Sequence, residues 1–383
     1  GLPYRCRMRS RSILAGLVAL GSVIGATLVA AVAAPALPVQ AAGTTSAYVA
    51  MPTSQRLLDT RQATPVPAGG TISVAVTGAA PLPAPGTVTA VVLNLTVTPP
   101  SAPGFWTVWP HTSPRPEASN LNVDENQFLA GNVTPNLVTV PVGSDGAVDI
   151  YGSGGGNVIV DLLGYYTPAE SATSGRFEPL ATPTRVLDTR GVATFSAGET
   201  RAFTVPGAAG ASAVAVNLTS VTNVPGFWQV YANGSPAPAT SNLNSPAGFS
   251  AAIANQAIVT VDAAGAISIY SENGGDLLID LVGIYTGASA PSSTTGLFVP
   301  VTTPTRIVDT RIAGLNPLGG TTRPSIKSSF EVPVTSNPVI GRSDVSAVVL
   351  NATSVEALTI GYITVGTAGA TDPNVAPTTS TMN

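Results

Sequence analysis

The chain has 383 residues, 44% of them hydrophobic and only 9% charged, against roughly a quarter charged in an ordinary soluble domain. It is long enough for two to four domains with real cores, and its polar surface has to be made of Ser, Thr, Asn and Gln. One Cys and one His exclude thiol chemistry, Cys/His zinc sites and multi-histidine metal sites, each of which needs several such side chains converging.

Met8, Arg9 and Arg11 open an apolar run from Ile13 to Ala34, followed by Pro35, Pro38 and the small residues Val39-Gln40-Ala41-Ala42-Gly43. A basic start, an apolar centre and a small-residue exit are the layout of a secretory signal peptide, with Val39 and Ala41 placed as a cleavage site wants them. A run of this length could also anchor in a membrane, which the prolines and the Ala-rich exit disfavour. The sequence therefore predicts a leader over residues 1–42 and a secreted or cell-surface location, with membrane contact only through an uncleaved signal segment. Four of the 16 basic residues (Arg5, Arg7, Arg9 and Arg11) and none of the 20 acidic ones precede Ala42. The exported part is acidic and lacks the basic patch that a nucleic-acid partner needs. Cys6 leaves with the leader, so stability has to come from sheet packing without disulfides.

Beyond the leader the sequence repeats itself. Arg56-Leu57-Leu58-Asp59-Thr60-Arg61 returns as Arg185-Val186-Leu187-Asp188-Thr189-Arg190 and as Arg306-Ile307-Val308-Asp309-Thr310-Arg311. Leu93-Asn94-Leu95-Thr96 matches Val216-Asn217-Leu218-Thr219 and Leu350-Asn351-Ala352-Thr353. Pro103-Gly104-Phe105-Trp106 matches Pro225-Gly226-Phe227-Trp228 and, loosely, Ile360-Gly361-Tyr362-Ile363. Ser119-Asn120-Leu121-Asn122 matches Ser241-Asn242-Leu243-Asn244 and Ser380-Thr381-Met382-Asn383. Asp161-Leu162-Leu163-Gly164-Tyr165-Tyr166 matches Asp280-Leu281-Val282-Gly283-Ile284-Tyr285, and the third copy stops before this element. A period of this length is an independent domain rather than a solenoid unit. The expected modules are 48–167, 177–286 and a truncated 298–383, joined by Ser/Thr/Ala/Pro-rich segments, 167–175 and 287–296, that read as short flexible linkers. A sandwich without its closing strands cannot complete a core, so the natural protein is expected to continue past this third copy.

Within a copy the period is two. Val88–Thr98, Phe105–Trp109, Val133–Val142, Ala147–Tyr151 and Val158–Tyr166 are Val-, Ile-, Thr- and aromatic-rich runs broken by turn signals such as Ser144-Asp145-Gly146. The fold expected is all-β: tandem antiparallel β-sandwiches of about eight strands each, jelly-roll or Ig-like.

Asp161 and Asp280 stand alone in strands apolar on both faces, which implies burial, and a buried carboxylate needs a partner. A structural clasp is expected, with Arg61 or Arg56 on Asp161 and Arg190 or Arg185 on Asp280. Strict alternation sets Leu57, Asp59 and Arg61 on one face and Arg56 on the other; Asp188 is the second copy's counterpart of Asp59. Trp106 and Trp228 share the apolar phase and read as core. The opposite phase offers Phe105, Trp109, Phe227 and Tyr231 as a candidate ligand platform, since aromatic faces stack on sugars, although aromatics on a sandwich face also pack under loops. Asn94, Asn217, Asn351 and Asn132 lie in Asn-x-Thr sequons and read as strand asparagines bonded to nearby backbone rather than as glycan acceptors. The oxygens of Asn120, Asn122 and Asp124 suggest calcium, but the second copy loses the acid, so no metal and no cofactor is expected. His111 occurs in one copy only, which argues against a triad, and the recurring acids have a structural role. No catalytic residue is expected.

The LDTR opening, LNxT strand, Gly-Phe element, SNLN segment and closing D-x-x-G-Y-Y resemble the secreted β-sandwich repeat modules of high-GC Gram-positive bacteria, found in cell-surface proteins and beside extracellular hydrolase domains. The resemblance carries over no ligand; the function expected for the chain is that of a non-catalytic secreted or surface protein acting in adhesion or associated with cell-wall polysaccharide or another extracellular glycan. Two alternatives stand beside it: an inert spacer of an extracellular hydrolase, or a self-assembling surface structure.

Overall fold

A computed structural model describes residues 44–383 except 130–132, 223, 246–251, 302–303, 338–339, 341, 358–360, 369–378, 380 and 382–383. The leader and Asn132 lie outside the described residues. In the first copy, β1 (Ser46–Asp59), β2 (Gly70–Ala75), β3 (Ala90–Pro100), β4 (Gly104–Pro110), β5 (Leu121–Val123), a short helix α1 (Glu125–Leu129), β6 (Thr134–Pro141), β7 (Ala147–Gly152) and β8 (Gly156–Pro168) follow in order. They form two four-stranded antiparallel sheets, β1-β8-β3-β6 and β2-β7-β4-β5. This strand order is that of a jelly roll, and it decides between the two sandwich topologies open to sequence reading. The alternating residues Val91, Leu93, Leu95 and Val97 of β3 meet Trp106 and Val108 of β4 and Val148 and Ile150 of β7 in one core.

The second copy repeats the arrangement with β9 (Phe177–Asp188), a short β10 (Phe195–Ala197), β11 (Thr200–Thr204), β12 (Ala213–Val221), β13 (Gly226–Ala232), β14 (Leu243–Ser245), β15 (Ile253–Thr260), β16 (Ala266–Ser271) and β17 (Asn273–Tyr285). One sheet runs β10-β17-β12-β15 with β9 also on β17, and the other runs β11-β16-β13-β14. Its core centres on Trp228, Leu218, Ile269 and Leu277.

The two sandwiches are packed against each other. The β3 positions that do not face the core, Ala90 and Val92, join Leu163, Ala213, Ala215 and Ile258 in a third apolar cluster that spans both copies. That explains why β3 is apolar on both faces: its sheet is a middle layer, covered by its own partner sheet and by the next copy. At the end of this cluster Tyr48 stacks between Tyr166 and Tyr285, with centroids at 5.2 and 4.6 Å. Phe177 lies on Tyr285 and Phe298 on Tyr166, and the hydroxyls of Tyr166 and Tyr285 share a 2.9 Å hydrogen bond. The glycine of the D-x-x-G motif has its reason here. A Cβ on Gly164 would collide with the Tyr48 ring, and one on Gly283 with the Phe177 ring.

The linkers differ from expectation. Ala172 and Ser293 pair as a bridge, and the buried Arg176 donates to the carbonyls of Ala172 (2.8 Å), Thr295 (3.0 Å) and Pro291 (3.1 Å). An arginine whose guanidinium is held by three carbonyls ties both connections into one cross-linked surface, so they are not flexible tethers. Among the described residues of the third copy no strand forms; Phe298 bridges to Ser46, and Ile363 is a second isolated bridge residue.

Candidate functional site

The clasp forms through the first arginine of the motif. Arg56 Nε and Nη2 reach Asp161 Oδ1 and Oδ2 at 2.8 and 3.1 Å, and Arg185 reaches Asp280 at 2.8 and 3.0 Å. The second arginines, Arg61 and Arg190, instead fold back on Asp59 and Asp188, at 2.9 and 2.6 Å in both copies. A bulge decides the choice. Arg56 pairs in register with Asp161 while Leu58 pairs with Val160, so Leu57 is an extra residue that resets the alternation. Arg56 and Asp59, assigned to opposite faces by strict alternation, thereby come to one side with their groups 3.5 Å apart. The same shift occurs in β9. Burial pushes the Asp161 carboxyl up, against the pull of Arg56, whereas Arg61 holds Asp59 below the usual carboxylate range. Both acids are committed to arginines and form no acid/base pair.

The four aromatic candidates do not form one platform. Trp109 is buried beneath the segment that follows β4, its indole N–H donating to the Ser113 carbonyl at 2.9 Å, and the neighbouring Thr107 hydroxyl donates to Ala118 at 2.6 Å. Tyr231 lines a cleft of ≈ 40 Å³ between the copies, beside Met51 and Ser54. Both are removed from the open face because the loop after the fourth strand folds back over the end of it.

Phe105 and Phe227 do remain on the outward sheets, and each has gained an aromatic neighbour from the adjacent strand. Phe105 meets Tyr151 at 5.8 Å and 44°, and Phe227 meets Tyr270 at 5.9 Å and 43°. Phe105 is 39% exposed, and the other three rings are half-buried. In the first copy the Arg115 guanidinium lies 3.8 Å over the Tyr151 ring, a cation–π contact; the second copy has Ala237 at that position. Amide and hydroxyl side chains frame the rings, Asn122 opposite Phe105 and Asn244 opposite Phe227, with Thr71 and Thr200 beside the tyrosines. Tyr151 and Tyr270 were missed as candidates. The signal was their shared outward phase at the end of a strand that recurs in both copies, which strand-by-strand reading does not connect to the phenylalanine across the sheet.

The remaining sequence features are occupied locally. His111 Nδ1 sits 2.5 Å from Asp145 Oδ2, which raises the imidazole pKa at the surface. The Asn120 side-chain Oδ1 accepts from the Val108 N–H at 2.7 Å, and Asp124 and Gln127 exchange bonds that cap α1, so these oxygens do not converge on one point. Among the described residues no group of three metal-ligating side chains occurs, and no helix is long and apolar enough to cross a membrane.

No protein-family model matches the chain, and no curated protein matches it. Among solved structures, the tandem CBM22-1–CBM22-2 domain from the N-terminus of Paenibacillus barcinonensis Xyn10C aligns with 66% of this chain and 100% of its own, at 9% identity and a TM-score of 0.17. The assignment as tandem β-sandwiches rests on the strand pairing described above.

Proposed function

We propose that this chain is a non-catalytic, exported repeat protein that associates with polysaccharide through the outward aromatic pairs Phe105–Tyr151 and Phe227–Tyr270. The observation that carries this reading is the recurrence of one pair, at the same separation and tilt, on the outer sheet of two copies. Core packing does not require outward-facing rings there, and a shallow, ring-bearing face framed by Asn and Thr suits an extended sugar chain better than a small molecule, which needs an enclosing pocket. The pattern of the leader supports export, and the non-catalytic reading agrees with recurring acids held by arginines. The test is retention of the full chain on insoluble polysaccharides and purified peptidoglycan. Tyr151→Ala combined with Tyr270→Ala is expected to weaken retention at least about tenfold, since aromatic anchors carry most of such binding. A well-folded protein that is never retained, or is retained equally after both changes, overturns the reading. It would then favour a rigid spacer, which the Arg176 cross-link between the connections also fits.

A further inference from the structure

The recurring motifs converge on one place that is not the aromatic face. At the contact between copies one and two, Asn94 Nδ2 donates to the Ser241 carbonyl at 2.9 Å and lies 3.4 Å from Thr96 Oγ1, while Asn255 Nδ2 donates to Asn94 Oδ1 at 3.1 Å and to the Asn242 carbonyl at 2.7 Å. Arg56 of the clasp reaches on to the Ala239 carbonyl at 3.3 Å. The LNxT strand, the LDTR strand, the closing Asp and the SNLN segment thus all end in a single joint.

The joint is made a second time, between copies three and one, by the equivalent atoms. Asn351 Nδ2 donates to the Ser119 carbonyl at 2.6 Å and lies 3.4 Å from Thr353 Oγ1; Asn136 Nδ2 donates to Asn351 Oδ1 at 3.0 Å and also to the Asn120 carbonyl. Asn122, which also borders the Phe105 ring, adds a 3.3 Å bond to Thr353. Copy three contacts copy two as well, through Thr367 Oγ1 and the Ala181 carbonyl at 3.5 Å. The counterparts of those two residues, Ala232 and Pro52, line one cleft between copies one and two. A head-to-tail contact that repeats either runs on as a filament or closes, and here copy three reaches past its sequence neighbour to the first copy.

We propose that the LNxT asparagine and the SNLN segment form a repeat-to-repeat recognition site whose ligand is another copy of the same repeat, and that the three copies of this chain use it in a closed, three-membered ring. In such a ring Asn217 would hold the position in the third joint that Asn94 and Asn351 hold in the other two. The amide is selected because a single asparagine supplies both the donor that the facing carbonyl needs and the acceptor that the next asparagine needs; a Gln would overshoot and an Asp would lose the donor. The same geometry accounts for the Asn94 and Asn351 sequons without any glycan. This inference does not depend on polysaccharide binding.

The test uses the full chain with Cys6→Ser as background and a cysteine pair, Asn122→Cys with Thr353→Cys, oxidised at low concentration. Expected is a disulfide within one chain, seen as a faster-migrating monomer on non-reducing gels. Adding Asn351→Leu is expected to slow the cross-link by about tenfold, the equivalent of one to two lost hydrogen bonds. Asn351 is exposed, so this change empties no core, and circular dichroism of the variant verifies the fold. Disulfides formed only between chains, no disulfide in a folded protein, or an unchanged rate with Asn351→Leu would overturn the proposal.

Discussion

Copies one and two differ from copy three in burial far more than in local bonding. Leu93 is fully buried and Trp106 is 1% exposed, whereas their counterparts Leu350 and Ile363 are 45% and 42% exposed. Yet the bonds near in sequence survive. Thr364 Oγ1 donates to the Thr379 carbonyl at 2.7 Å, as Thr107 does to Ala118 at 2.6 Å. The Val365 N–H donates to Thr381 Oγ1 as the Val108 N–H does to Asn120, and Arg311 folds back on Asp309 as Arg61 does on Asp59. Copies one and two share one element, β8 in the first and β17 in the second, that organises their burial. It lies inside the inner sheet, hydrogen-bonded on both sides, and it brings the carboxylate that the first arginine binds. In copy three Arg306 turns to Asp309 at 3.0 Å. A central strand supplies the long-range pairing that makes burial cooperative, while turn and side-chain bonds form without it.

The contrast can be broken first at the core. Trp228→Ala is expected to destabilise copy two by about 3–5 kcal/mol, the usual cost of emptying an aromatic core site, while Ile363→Ala changes stability by less than about 0.5 kcal/mol as at other exposed positions. Hydrogen exchange resolved by segment would read both, and comparable losses in the two copies would refute the difference. The clasp comes next. Asp280→Ala should cost roughly 2–3 kcal/mol, below the full penalty of a broken buried pair because Arg185 keeps part of its hydration; Asp309→Ala, whose arginines are solvated, should be near neutral. Urea titration of each variant is the measurement. The smallest effect is acid sensitivity confined to copy two. Glu199, held by Arg201 and by the Ser196 N–H, has its pKa lowered from 4.5 to about 2, and copy one has Gly70 in its place. The stability that this glutamate contributes is present above its unfolded value and is lost as pH falls from 4.5 toward 2. Glu199→Gln should therefore flatten the acid slope of the copy-two melting temperature over that interval, and an unchanged slope would count against the ion pair.

The alternation of apolar residues was enough to mark strands, the all-β class and the Trp106 and Trp228 core positions, because a half-buried strand imposes its period on the sequence directly. A lone Asp in a doubly apolar strand was enough to call for an arginine. Which arginine answers was not legible, since one bulged residue at Leu57 reverses the phase that alternation predicts. The aromatic face suffered in a similar way: Trp109 and Phe105 have the same phase, and only the path of the following loop buries one and leaves the other open, next to a tyrosine from a strand about 45 residues away. Recurrence showed that Asn94, Asn351, Ser119 and Ser241 matter without showing why, because their partners belong to other copies. Local pattern fixes what a residue needs, a hydrocarbon layer, a counter-charge or a hydrogen-bond partner. Only the three-dimensional packing of sheet on sheet decides which group, from which copy, meets that need.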